Sequence, residues 1–395
     1  MYRDVSTVFT HLNRRRFCLL TAAAAPQLFA QSKPTLREEV ATLDRPRILA
    51  AATQFLQQKP NPAVPHPRPN LFYSENPEFF PDPASSSAPY IHRPNSLNQS
   101  AFSANSDALL ELSQLVPALT AAWFLTQDEK YAAHAIAHLQ AWFLTPDTRI
   151  NPDFSAAQTI PNIGPRRGLF MADAIHLTEI SRAASHLYAA KAFTPADSKA
   201  LTAWFAALLT WLTESQPGIV AREEKDHTAS AWLLLTTELA RHTHNDPLTS
   251  LCRKRFKNNA LRQLNFDGTF PLELATPRPY LNSLYNLDLI ATTCELLSTP
   301  FDNLWTYQLD DARGLVPSFD FHVPFIANKG LWPFKADAQD FKLLPIRHPG
   351  LLFAGRALAH PDYIALWKKL PADPTAPEIL RRFPIRQPIL WINKP

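Results

Sequence analysis

Eight glycines in 395 residues are the tightest constraint this sequence places on its own folding. Tight hairpins need residues at positive φ, a role glycine fills, and average usage is about 7%. A chain with so few glycines and 37 prolines cannot be built mainly from β-hairpins. The eight, from Gly164 to Gly355, spell neither G-x-G-x-x-G nor G-x-x-x-x-G-K-[ST], so the common nucleotide-binding loops are excluded as well.

Helical periodicity fills the place that hairpins leave. Leu109, Leu112, Val116, Leu119 and Trp123 recur at steps of three and four, the spacing of one helix face. Asp128 opens a further helix with Tyr131, Ile136, Leu139, Trp142 and Phe143 inward. Thr194-Pro195-Ala196-Asp197 combines an N-cap threonine, a first-position proline and a first-turn acid. Further helices are expected at 36–58, about 171–190, 227–243, 246–264, 282–298 and 349–368. Strand-like alternation is nearly absent, and no heptad run or fixed-period repeat is present. The expected fold is all-α: helix pairs arranged as an (α/α) toroid, an incomplete α/α barrel, with the chemistry on connecting loops.

The first thirty residues read as an export signal rather than as part of this fold. Asn13-Arg14-Arg15-Arg16-Phe17 precedes the apolar run from Cys18 to Ala25, and Leu28-Phe29-Ala30 offers a small residue for cleavage. The paired arginines point to the twin-arginine route, hence to a periplasmic or secreted protein. Removing 1–30 takes Arg3, Arg14, Arg15, Arg16 and Asp4 away and lowers the formal net charge from +4 to +1. No general nucleic-acid-binding field is therefore expected. No other stretch reaches eighteen uninterrupted apolar residues, so no stable membrane span is expected. Cys252 and Cys294 remain after cleavage, with no C-x-x-C to bind zinc. The remaining segments are an N-terminal helix with an aromatic-rich lid (31–105), the helical domain (106–370) and an extended C-terminal tail (371–395). The lid is long and irregular, but Phe72, Tyr73, Phe79, Phe80 and Tyr90 argue against simple disorder.

Polar segments interrupt the apolar helices at three places: Thr148 to Gly168, Glu223-Glu224-Lys225-Asp226-His227, and Asp267 to Ala275 continuing to Tyr285-Asn286-Leu287. His134 and His138, four apart, have a metal-ligand spacing but no third ligand nearby, and are expected on a solvated helix face.

With these segments in view, the chain resembles the alginate-lyase-like polysaccharide lyases. The resemblance runs from about Tyr73 to Lys335. It rests on Tyr73-Ser74, Phe80-Pro81-Asp82-Pro83 and Pro89-Tyr90-Ile91 in the lid, and on the stretch from Asp128 to Pro152. Arg167-Gly168, FDGTFPLELA (Phe266 to Ala275), Trp305 and Trp332-Pro333-Phe334-Lys335 complete it. It implies an α/α toroid that cleaves an acidic polysaccharide by β-elimination. In such enzymes Asn, His or Arg neutralise the sugar carboxylate, a Tyr or His takes the C5 proton, and a Tyr returns one to the leaving oxygen. No metal or other cofactor is implied.

Carried over by position, the family's Asn-Asn-His falls on Lys225-Asp226-His227, its Arg on Thr276 and its catalytic Tyr on Asn282. Only the histidine matches, while Arg278, Tyr280 and Tyr285 lie close by with the required chemistry. His227, Asp226, Tyr280, Arg278 and Tyr285 are therefore the expected catalytic set. Tyr73, Arg93, Gln158, Arg167, Asn282 and Lys225 are the expected substrate-binding set. An ionised Asp226 would repel a substrate carboxylate. Relief comes if Asp226 stays protonated, giving activity that rises toward acid pH, or if it pairs with Lys225 or Arg278. Two other functions fit the same residues: an inactive toroid that binds acidic glycan, and a glycoside hydrolase with Asp226 as acid.

Overall fold

Side-chain caps fix where most of the long helices begin. The computed structural model describes residues 34–164 and 168–392, so the expected export signal and Arg167 lie outside the described residues. Helix α1 (Leu36–Phe55) opens on a capping box in which Thr35 and Glu38 bond each other's backbone. A short antiparallel pair, β1 (Phe79–Phe80) and β2 (Ile91–His92), stands in the lid, with Phe79 opposite His92. Then come α2 (Ala104–Thr126), α3 (Glu129–Phe143), α4 (Met171–Ala174), α5 (Leu177–Leu187), α6 (Pro195–Glu214) and α7 (Gln216–Glu223). They are followed by α8 (His227–His242), α9 (Asp246–Arg255), α10 (Pro271–Leu274), α11 (Pro279–Leu297) and α12 (Leu315–Ala327). The series ends with α13 (Pro349–Ala357), α14 (Pro361–Lys369) and α15 (Pro377–Leu380). Thr194 caps α6 as expected, accepting from the Asp197 N–H with Pro195 in the first turn.

Helices α2, α5, α8, α11 and α13 each pack on the next in that order. Around them α1 and α3 lie on α2, α6 and α9 on α8, and α14 on α13. This inner succession backed by an outer one is the (α/α) toroid. Every residue of α11 except Glu295 is buried, so its polar side chains must find partners inside the protein. Helix α2 is long and apolar enough to cross a membrane, but 78% of its most apolar stretch is buried within the fold.

Several expected helices are interrupted. The stretch 171–190 divides into α4 and α5. Helix α9 stops at Arg255, and the chain continues through a π-helical turn (Phe256–Ala260) and a 3-10 turn. The stretch 349–368 breaks into α13 and α14 where Ala359 takes a left-handed φ of 56° ahead of Pro361. Helices α7 and α12 were not anticipated. Cys252 and Cys294 are free and buried.

The two histidines of α3 do not face solvent as expected. His138 is buried, its Nε2 lies 3.3 Å from that of His134, and His134 Nε2 meets the Gln58 carbonyl at 2.8 Å. Burial pushes His138 down to about 4. Among the described residues no cluster of three His, Cys, Asp or Glu could hold a metal.

The C-terminal segment carries α15 and then buries Phe383, Ile385, Ile389, Leu390, Trp391 and Ile392. Glu179 of α5 ties it down, accepting from the backbone N–H of Arg386 (2.8 Å) and Gln387 (2.7 Å) and from Trp391 Nε1 (3.2 Å).

Candidate active site

His227 is the first residue of α8, and the local sequence explains its fixed position. Asp226 is the N-cap: its Oδ1 accepts the Thr228 N–H at 2.8 Å. Gly168, at φ +66°, lies close against α7 and this helix start. A Cβ there would lie 2.9 Å from Ala221 Cα and 3.0 Å from Thr228 Cγ2.

The third polar segment brings a carboxylate to the same point. The turn before α10 is closed by Asp267, which accepts from the Thr269 backbone and hydroxyl, and by Gly268 at φ +84°. A Cβ on Gly268 would sit 2.3 Å from the Pro317 carbonyl. The chain therefore enters α10 with Glu273 turned inward and 1% exposed. Its Oε1 accepts the His227 backbone N–H at 2.7 Å and Asn286 Nδ2 at 3.0 Å, and its Oε2 lies 2.8 Å from His227 Nδ1. Asn286 in turn donates to Gln263 Oε1 at 2.8 Å. A carboxylate only accepts, so the Nδ1 proton of His227 points to Glu273 and Nε2 is left toward the cleft.

That cleft, of about 210 Å³, runs between the lid and the inner helices. Pro77, Glu78 and Leu97 form its lid wall, Gln158 and Asp173 also line it, and His227 and Tyr285 stand side by side. The rings of His227 and Tyr285 are 5.5 Å apart, tilted by 59°. Burial pushes the Tyr285 phenol well above its ordinary pKa, with the Arg382 charge opposing the shift. Asp173 is buried and accepts from the Ser74 hydroxyl (2.7 Å) and Gln158 Nε2 (3.0 Å); burial raises its pKa.

The C-terminal segment completes the cleft with Glu378, Arg381 and Arg382. Arg381 is committed to Asp107 at 2.6 Å and lies 3.7 Å from Glu378. Arg382 bonds through Nε to Asn282 Oδ1 at 3.0 Å, and its guanidinium lies 5.7 Å from the Tyr285 ring centroid.

Of the residues expected from sequence, His227, Tyr285 and Gln158 line this cleft, and Asn282 lies behind it as the support of Arg382. The other expected residues among those described lie elsewhere. Tyr280 packs against Trp332 and Phe341 and donates its hydroxyl to the Phe325 carbonyl at 2.9 Å. Arg278 is consumed by Glu378 (3.0 Å) and Gln339 (2.8 Å), anchoring α15 to the start of α11. Asp226 is occupied as a cap and pairs with neither Lys225 nor Arg278. Lys225 is exposed and lines a separate cavity with Arg222, Arg255 and Arg262. Tyr73 donates to Glu75 Oε1 at 2.7 Å, so Glu75 rather than Tyr73 meets the cleft. Arg93 is exposed, over the Phe80 ring.

Sequence reasoning missed Glu273, Arg381 and Arg382. Glu273 stands inside the quoted FDGTFPLELA segment. The Arg381-Arg382 pair, set in an apolar stretch, was the signal available for the other two.

Comparison with known proteins agrees with this architecture. An alginate lyase from Bacteroides ovatus superposes with a TM-score of 0.75 at 22% identity, covering 91% of this chain and 97% of that one. Alginate lyase A1-III from Sphingomonas species A1 superposes with a TM-score of 0.52 at 14% identity, over 88% and 95%. A histidine-to-alanine form of alginate lyase A1-III, complexed with a tetrasaccharide, gives 0.51 at 14% identity, over 88% and 94%. No curated protein sequence matches. The Alginate lyase family profile matches residues 55–332, well over half the chain. With the toroid and the histidine-bearing cleft already in place, that match settles membership: the chain belongs to the alginate lyase family.

Proposed function

We propose that this protein is an exported lyase that cuts a uronate-containing, alginate-like polysaccharide by β-elimination. The observation that carries the reading is the pairing of His227 and Tyr285 in one cleft, with Glu273 behind the imidazole. His227 Nε2 takes the C5 proton of the uronate. The electron pair of that C–H bond becomes the C4=C5 double bond as the C4–O bond breaks, and Tyr285 gives its proton to the departing oxygen. Burial suits the phenol to that task, because it keeps the proton on Tyr285 through the neutral range. Arg382, the cleft guanidinium that is not paired with an acid among the described residues, favours an anionic sugar over a neutral one beside it. The resemblance of the N-terminus to a twin-arginine signal supports export.

The hydrolase alternative needs Asp226 as the acid, and that carboxylate is engaged at the α8 cap. The test is incubation with a panel of uronate polymers while following ultraviolet absorbance and reducing ends. New absorbance is expected. Reducing ends without it would establish hydrolysis, and retained affinity with neither would establish a binding protein.

A further inference from the structure

Elimination needs a hydrogen-bond donor or cation at the sugar carboxylate, and three of the positions that sequence comparison offers for it are occupied otherwise: Asp226 caps α8, Arg278 is paired with Glu378, and Thr276 accepts from Asn282 Nδ2 at 3.0 Å. Arg382 differs from these and from Arg381. Among the described residues it has no acidic partner, and its one side-chain hydrogen bond is through Nε to the neutral amide of Asn282. That bond fixes the plane of the guanidinium without cancelling its charge, and leaves both Nη groups for a ligand in a cleft that also holds His227 and Tyr285. Two free Nη groups in a fixed plane match the two oxygens of a carboxylate.

We propose that Arg382, delivered by the C-terminal segment, is the catalytic residue that receives the uronate carboxylate. The inference rests on the elimination reading above and names the group that makes it chemically feasible. As the C5–H bond breaks, its electron pair spreads into the carboxylate, and the Nη–H donors hold the growing negative charge there. The pair then returns to form C4=C5 as the C4–O bond breaks. The same arginine, over the Tyr285 ring, lies beside the group that supplies the last proton.

The experiment compares the wild type with Arg382→Gln and Arg382→Lys, using acidic oligouronates and their carboxyl-reduced, neutral counterparts. Thermal unfolding of each variant controls for folding. Arg382→Gln should lose about 10²- to 10³-fold in kcat on the acidic substrate, the loss typical of removing one donor from developing charge. Arg382→Lys should recover part of it. Affinity for the acidic oligosaccharide should fall in Arg382→Gln while affinity for the neutral one stays unchanged. Wild-type kcat and affinity in a folded Arg382→Gln variant would overturn the assignment, as would equal losses of affinity for acidic and neutral sugars. If the wild type releases no unsaturated product from any polyuronate, the elimination reading falls. The binding comparison then decides the carboxylate site by itself.

Discussion

Glu273 holds His227 twice, through the backbone N–H at 2.7 Å and the ring Nδ1 at 2.8 Å. The first contact fixes where α8 starts and the second fixes which ring nitrogen is left toward the cleft. Glu273→Gln separates the two. The amide oxygen can still accept the backbone N–H, but the amide N–H₂ facing Nδ1 favours the tautomer with the proton on Nε2, which cannot act as a base. The variant should fold, bind oligouronate with little change and lose about 10²- to 10⁴-fold in kcat, as expected for a wrong-tautomer substitution. Initial rates of unsaturated-product formation, set beside binding titrations, check this. A loss of affinity with kcat intact would contradict it.

Tyr280 and Tyr285 are about 1.4 turns apart on α11, yet Tyr285 lines the cleft while Tyr280 packs against Trp332 and Phe341. Removing the Tyr285 hydroxyl takes away the proposed proton donor, so Tyr285→Phe should lower kcat about 10²- to 10⁴-fold with little change in melting temperature. Removing the Tyr280 hydroxyl leaves the Phe325 carbonyl without its partner. Tyr280→Phe should therefore cost about 1 kcal/mol of stability and leave kcat within a few-fold of wild type. Assaying both variants for rate and for denaturant midpoint separates the two roles.

Asp226 is expected to matter to the helix rather than to the proton transfers. Asparagine caps about as well as aspartate, whereas alanine cannot accept the Thr228 N–H. Asp226→Asn should be neutral in stability and close to wild type in rate. Asp226→Ala should lose about 1 kcal/mol, with any fall in activity tracking the disturbed start of α8. Urea titrations of the three proteins give the ordering. A large, stability-independent loss of activity in Asp226→Asn would restore this residue to the catalytic set.

The helices were legible because burial of one face imposes a period that the sequence must carry, and the runs ending at Trp123 and Phe143 carry it plainly. Their ends were less so. The break at Ala359 is a left-handed φ that alanine rarely adopts, and α11 is buried nearly all round, so it shows no polar face to read. His227 was legible because matching segments on either side of it, Arg167-Gly168 and FDGTFPLELA, fix its position in the family pattern even though its immediate neighbours Lys225 and Asp226 depart from it. Its surroundings were not. Whether Tyr280 or Tyr285 reaches the cleft depends on how α11 is rotated, and Asn282 acquires its role only from Arg382, 100 residues later. Arg278 shows the same limit from the other side: it has the right chemistry in the right segment, yet an acid on α15 takes it up. Sequence proximity nominated side chains of the right type, and tertiary pairing decided which of them kept a free charge or a free proton.

Buried histidines make a further prediction, about pH and stability. His322 is 1% exposed, with Nδ1 2.8 Å from the Ser318 carbonyl and Nε2 without a partner. Burial pushes it down to about 4 from the usual 6.5. Between those values the unfolded chain binds a proton that the folded one refuses, so the contribution of neutral His322 is present above pH 6.5 and is lost as pH falls toward 4. Buried Glu179, raised to about 7, acts in the opposite sense, gaining stability as pH falls from 7 to its unfolded value. The slope of the whole protein mixes such groups, but the difference between wild type and His322→Gln isolates one. Glutamine loses packing at every pH but does not titrate. Its stability deficit should therefore be constant above pH 6.5 and shrink by up to about 3 kcal/mol as pH drops to 4, at 1.36 kcal/mol for each pKa unit. Denaturant unfolding of both proteins across that range measures the gap. A gap that stays constant would mean that the folded protein accommodates a charged His322.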